Sequence, residues 1–189
     1  MRYNRAMEIE PVVPNQSLVR AACKRFDEEN AVVEQALAEL FRQYPTNDNE
    51  AHVLLKVVAL NRLYSTNILA VHDVARHIDQ HAQEVDDALR VGSPEVVDLI
   101  ANVTIKGRKR WVFATKYCNW HHPESYPIWD SRVRRYLRSL KGSPFTRPDD
   151  WTGYREFVDF MSQFRDFYNL GSFTFKEIDN FLYQYGGEQ

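Results

Sequence analysis

Phe157, Phe160, Met161, Phe164 and Phe167 recur at intervals of three and four residues, a period that fits one face of an α-helix. A stripe this apolar demands burial, so the chain must supply a further layer to cover it. The spacing returns in Val33, Leu37, Leu40, Phe41 and Tyr44, and again in Leu54, Val57, Val58 and Leu63. No useful stretch alternates with the period of two that a half-buried strand requires. The chain therefore reads as all-α, with about eight to ten helices.

Local start and stop signals divide it. Residues 1–16, with Pro11 and Pro14, read as an extended arm, and residues 17–189 as a single helical domain. Ser17 opens a first helix to about Phe26, and Asn30 caps a second that Pro45 stops. Asn47 and Glu50 have the spacing of a capping box for a third helix. Tyr64-Ser65-Thr66-Asn67 breaks it from a fourth over about 68–80, and a short piece near 84–90 ends at Gly92. Ser93-Pro94-Glu95 opens a helix to about Ile105. Another follows Gly107 directly, and Asp130 opens a further one. Thr174 and Glu177 form a second capping box for the last helix, which stops at Gly186-Gly187.

A chain of 189 residues, 44% hydrophobic and 26% charged, is long enough to bury one sizeable core. No apolar run approaches the ~20 residues of a membrane span, and MRYNRAMEIE does not read as a signal peptide. Two cysteines, Cys23 and Cys118, fit a reducing cytoplasm and are too few for a four-cysteine metal site. The net charge of −2 conceals an asymmetry: residues 106–141 hold ten Lys/Arg against two acids, while the remainder holds 14 against 24. One basic segment in an acidic chain favours a polyanionic partner.

Candidate chemistry gathers in that segment. Lys106-Gly107 joins two helices, and a helix start beside a glycine offers free N–H groups to phosphate. Lys109 and Lys116 lie seven residues apart on one predicted helix, so they face the same way about 10 Å apart. Phe113 and Trp120 share that face, while Trp111, Ala114 and Cys118 point oppositely. These lysines read either as snorkelling surface residues or as amine nucleophiles set against aromatic surface. Asp130 reads as an N-cap, as a rigidly held catalytic carboxylate, or as both. Behind it Val133, Leu137 and Leu140 face the core, with Arg134, Arg138 and Lys141 outward. His121 and His122 precede Asp130 in a loop that can line its cleft. His77 and His81 have i, i+4 zinc spacing, but no third ligand accompanies them, so no metal or cofactor is expected.

The order helix, glycine turn, lysine-bearing helix, then Pro-Ile-X-Asp opening a basic helix resembles the helix-hairpin-helix DNA glycosylases. KRWVFATKY followed by PIWDSRV is most similar to the branch that contains archaeal 8-oxoguanine glycosylases. The resemblance covers about residues 93–140, with the hairpin at about 93–120 and the aspartate helix at 130–141. It implies a compact glycosylase fold and a monomer that flips a damaged or modified base out of DNA and cuts its N-glycosidic bond. The role would be repair, or defence against modified phage DNA. Asp130 matches the family aspartate, Lys109 stands where the attacking hairpin lysine stands, and Lys116 is the alternative amine, with strand cleavage following if a lysine attacks. Gly107, Arg108, Arg110, Arg132, Arg134 and Arg138 would then hold the DNA backbone. LNRLYSTNI resembles the family loop that probes the gap, which puts Thr66 and Asn67, with Ser65, near the flipped nucleotide. Trp120 and His121 would line the cleft. EIDNFLYQYG resembles a late segment whose acid and aromatic contact the base, here Asp179 and Tyr183. The hairpin departs from the family pattern, reading TIKGR in place of a proline-and-two-glycine turn. A non-catalytic DNA-binding protein that keeps this fold is the alternative reading.

Overall fold

The structure is a computed structural model that describes residues 11–103, 109–146 and 151–187. Among them lie nine α-helices and no strand: α1 (Gln16–Gln43), α2 (Glu50–Leu63), α3 (Val71–Gln80), α4 (Ala82–Val91), α5 (Glu95–Ala101), α6 (Trp111–His121), α7 (Ser131–Ser139), α8 (Tyr154–Phe167) and α9 (Phe175–Tyr185). The all-α expectation holds. No described helix is long and apolar enough to cross a membrane.

The amino-terminal third differs from the expected two short helices. Asn15, not Ser17, caps α1, its side chain accepting from the Leu18 amide. The helix then runs unbroken through Asn30, whose Nδ2 donates to the Phe26 carbonyl one turn back at 2.9 Å. A cap needs an extended backbone, and no glycine or proline interrupts residues 16–43, so asparagine stays helical here. Likewise Asn49 caps α2, accepting from the His52 amide at 3.1 Å. Asn47 bonds elsewhere. Its backbone and side-chain N–H groups donate to the Asp86 carboxylate, and its Oδ1 accepts from Lys56 at 2.8 Å and from the Tyr117 hydroxyl. The buried face of α2 is consequently Val53, Lys56, Val57 and Leu60, while Val58 and Leu63 are exposed.

Lys56 is fully buried. Its three protons go to the carbonyls of Tyr44 and Thr46 and to Asn47, and the rings of Phe41 and Tyr117 lie within 5.6 Å. Burial lowers its pKa to about 8, opposed by the Asp86 and Asp48 charges. The cation thus ties the start of α2 to the end of α1, to α4 and to α6.

Helix α6 occupies the centre, packed against α1, α2 and α5. Every residue from Phe113 to Asn119 is buried, so along this stretch it has no solvent side of the kind its sequence suggested, while Val112 in its first turn is exposed; a helical stretch covered all round belongs to the interior. It starts at Trp111, which leaves Lys109 exposed ahead of it and off the helix that carries Lys116. Helix α5 ends at Ala101, four residues short of the expected Ile105. Gly92 closes α4 in the left-handed region at φ 68°, as a terminal glycine should. The phenylalanine stripe of α8 is core at Phe157, Phe160, Met161 and Phe164, but Phe167 is exposed beyond it. The box of Thr174 and Glu177 caps α9 as read from sequence.

Candidate active site

Asp130 owes its position to the loop before it. Residues 122–129 fold back over α6, where Thr115 Oγ1 accepts from the Trp129 amide at 3.2 Å and Asn119 Nδ2 donates to the Tyr126 carbonyl at 2.7 Å. From α8 the Tyr154 hydroxyl donates to the Pro127 carbonyl at 2.6 Å. The chain then turns into α7 with Asp130 as N-cap, extended at φ −134°; its Oδ1 accepts from the amides of Arg132 at 2.9 Å and Val133 at 3.1 Å. Its other oxygen, Oδ2, lies 3.1 Å from Lys116 Nζ, with the two side chains only 11% and 9% exposed. Capping and pairing are carried by separate oxygens, so the N-cap reading holds and leaves the second oxygen facing the amine.

The pair lies deep in a pocket of about 370 Å³, within the range of small-ligand pockets, about 300–1,000 Å³. Phe26, Tyr64 and Tyr183 supply aromatic surface, Arg132 and Arg134 supply positive charge, and Ser65 contributes from the loop after α2. A second ion pair stands in the same pocket: Lys176 Nζ is 2.7 Å from Glu34 Oε2. Glu34 also accepts from the Tyr64 hydroxyl at 2.7 Å, and Lys176 sits 4.2 Å above the Trp120 ring. Asp179 lines the pocket too. Burial pushes its pKa up to about 8, reinforced by the Asp130 charge and opposed by Lys116 and Lys176. Arg132 lies over the Tyr183 ring at 3.7 Å and donates to that residue's carbonyl.

Helices α7 and α9 meet closely because residue 186 is glycine. A Cβ there would collide with the Arg132 carbonyl oxygen, standing 2.8 Å from the carbon of the same group. Arg135 Nη1 then donates to the Gly186 carbonyl at 2.7 Å.

The structure therefore brings together Asp130, Lys116, Asp179, Tyr183, Arg132 and Arg134 from the sequence-derived set. Others stand apart. Lys109 does not line the pocket, and Arg110 precedes α6, its amide bonded to the Ala101 carbonyl. Gly107 and Arg108 lie outside the described residues. Arg138 is exposed on α7. Trp120 and His121 line a separate hollow of about 410 Å³ with Phe41 and Arg42, which shares Lys176 with the first. Burial drives the His121 pKa well below the ordinary imidazole value, helped by Lys56 and His122. Thr66 donates to Asn61 Oδ1 at 2.9 Å, and Asn67 adopts a left-handed conformation at φ 55°; of that loop, Ser65 reaches the pocket. His77 donates to the Leu99 carbonyl and His81 to the His77 carbonyl, and no His/Cys/Asp/Glu group suited to a metal occurs among the described residues. Glu34, Tyr64 and Lys176 escaped the sequence reading. The only local signals were an acid inside an apolar helix stripe and a lysine just inside the Thr174 cap.

A family model described as HI_0787_N, N-terminal domain, matches residues 18–125. The matched stretch includes Glu34, Tyr64 and Lys116 and ends ahead of Asp130. An uncharacterized protein of Haemophilus influenzae is 38% identical over 134 residues, 68% of this chain. The chain spans 63% of that relative's length. No solved structure matches.

Proposed function

The chain belongs to the HI_0787_N N-terminal domain family, and from the pocket that its helices enclose we propose that it is a DNA glycosylase of helix-hairpin-helix type, with Lys116 as the amine. The observation that carries this reading is the amine of Lys116 at 3.1 Å from a carboxylate fixed by two backbone amides, inside an aromatic-walled pocket with arginines among its lining. Lys116 replaces Lys109 as the preferred nucleophile, because Lys109 is exposed and outside that pocket.

A nucleotide must leave the base stack before its glycosidic bond can be cut, at a cost of a few kcal/mol. In this reading Arg132 and Arg134 meet backbone phosphates, and Phe26, Tyr64 and Tyr183 cover an extruded base. As the C1′–N bond lengthens, positive charge grows on the sugar, and the fixed Asp130 carboxylate stabilises it. Asp130 Oδ2 is also placed to take the proton that Lys116 loses. Once the base has left with the bond's electron pair, that proton passes to Asp130 and the freed amine adds to the C1′ cation. Ring opening gives a Schiff base, from which β-elimination breaks the strand.

Borohydride trapping on duplex oligonucleotides carrying 8-oxoguanine and a panel of other modified bases tests this, with mass spectrometry of what is released. A covalent adduct that survives Lys109→Gln and is lost in Lys116→Gln supports the assignment. Base release without any adduct assigns attack to water activated by Asp130 and removes the lysine step. DNA binding without release of any base overturns the enzymatic reading and leaves a binding module.

A further inference from the structure

We propose that Asp179 is a further catalytic residue, the acid that protonates the base as it departs, a role that rests on the excision reading above. Three carboxyl groups line the pocket, those of Glu34, Asp130 and Asp179. Two are already paired with lysines. Asp130 holds Lys116 and two amides, and Glu34 holds Lys176 and the Tyr64 hydroxyl. Asp179 makes no side-chain hydrogen bond or ion pair among the described residues. It stands on α9 three residues after Lys176 and four before Tyr183, one face of one helix.

The elements around it present charged groups and, at the end of α2, the Tyr64 hydroxyl. The Asp130 carboxylate at the cap of α7 and Glu34 on α1 act against ionisation of Asp179, while Lys116 on α6 and Lys176 on α9 act for it. Burial is the largest influence and favours the neutral form, which is retained to about pH 8. A neutral carboxylic acid in a pocket whose other carboxyls are paired with lysines has one chemical use that they lack: it can give a proton away.

The proton balance closes. The C1′–N bond breaks and its electron pair passes to the base; the Asp179 proton joins the base, which leaves neutral. Asp179 is then a carboxylate beside the Lys176 ammonium and regains its proton from water. The proton from Lys116 goes to Asp130, so the two transfers do not compete for one acceptor.

The test compares release from duplexes carrying 8-oxoguanine, which departs as an anion unless protonated, and 7-methylguanine, which departs neutral unaided. Asp179→Asn should slow 8-oxoguanine release by about 10²-fold or more, and slow 7-methylguanine release by at least about tenfold less. In the unaltered protein 8-oxoguanine release should fall above about pH 8, and 7-methylguanine release should not. If Asp179→Asn releases both bases at the unaltered rate and with the unaltered pH profile, the proton-donor role is wrong while excision stands. If the unaltered protein releases neither these bases nor any other of the panel, the excision reading fails and takes this role with it. A measurement free of turnover runs alongside. A carboxyl whose pKa is higher folded than unfolded stabilises fully below the unfolded value, and the contribution is lost as pH rises through the folded one. The Tm of the unaltered protein should therefore fall between pH 5 and pH 9 relative to that of Asp179→Asn; superimposable curves overturn the proposal.

Discussion

Asp130→Ala removes two contacts that the structure assigns to different oxygens, and their sizes can be separated. The Oδ1 atom satisfies two otherwise free amides of α7, which is worth about 1 kcal/mol. The Oδ2 atom neutralises Lys116, whose side chain is 9% exposed. Stranding one partner of a buried pair costs about 3–5 kcal/mol, and this larger effect dominates. The alanine variant should lose about 3–5 kcal/mol in urea unfolding followed by circular dichroism, and about 6–20 °C in Tm for a chain of this size. An asparagine at this position would still cap, since asparagine and aspartate cap equally well, so Asp130→Asn isolates the ionic part and should recover about 1 kcal/mol. Lys116→Met should cost less than Asp130→Ala, because the carboxylate left behind keeps its two amides. A double-mutant cycle of Lys116→Met with Asp130→Asn should return a coupling of about 2 kcal/mol or more. A coupling near zero, or an alanine variant within about 0.5 kcal/mol of the parent, would show that the two groups do not meet in solution.

Lys56→Met should destabilise by about 2–4 kcal/mol, since three acceptors, that of Asn47 buried, lose their donor together; calorimetry showing a loss under 1 kcal/mol would mean that the network does not hold the fold. Replacing Arg132 and Arg134 together by serine should weaken binding to unmodified duplex DNA and reduce the log–log salt slope by about 1.8. An unchanged slope would mean that neither arginine meets phosphate. Thr174→Ala should cost about 1 kcal/mol through loss of the α9 cap, read by urea midpoint, and should leave the pocket chemistry in place.

What the sequence disclosed was mostly what a few neighbouring residues decide. Asp130 before Arg132 and Val133, Gly92 after α4 and the Thr174–Glu177 box are each set within one helical turn, and each stands in the structure as read. Asn30 and Asn47 carry the same local signal and do otherwise, because a long-range neighbour or an uninterrupted helix claims the side chain first. The pocket was half legible. Asp130, Asp179 and Tyr183 were visible as residue types in suggestive order, but the choice between Lys109 and Lys116 depends on where α6 begins and how residues 122–129 fold back. Neither is written in spacing. Glu34 and Lys176 lie far apart in the chain, and only the packing of α1 against α9 makes them a pair. A helical wheel misjudged α6 for a related reason: sides of a helix can be told apart only when one of them meets water.

The missing methyl group at residue 186 has a consequence beyond close packing. Because α9 ends against the backbone of the first turn of α7, the approach of the helix that carries Asp179 to the helix that Asp130 caps is gauged by the thinnest side chain available. Substituting alanine would force those two turns to shift and so disturb the wall of the pocket that holds both carboxyls. In this protein the fit of two pocket helices is set by an atom that is not there.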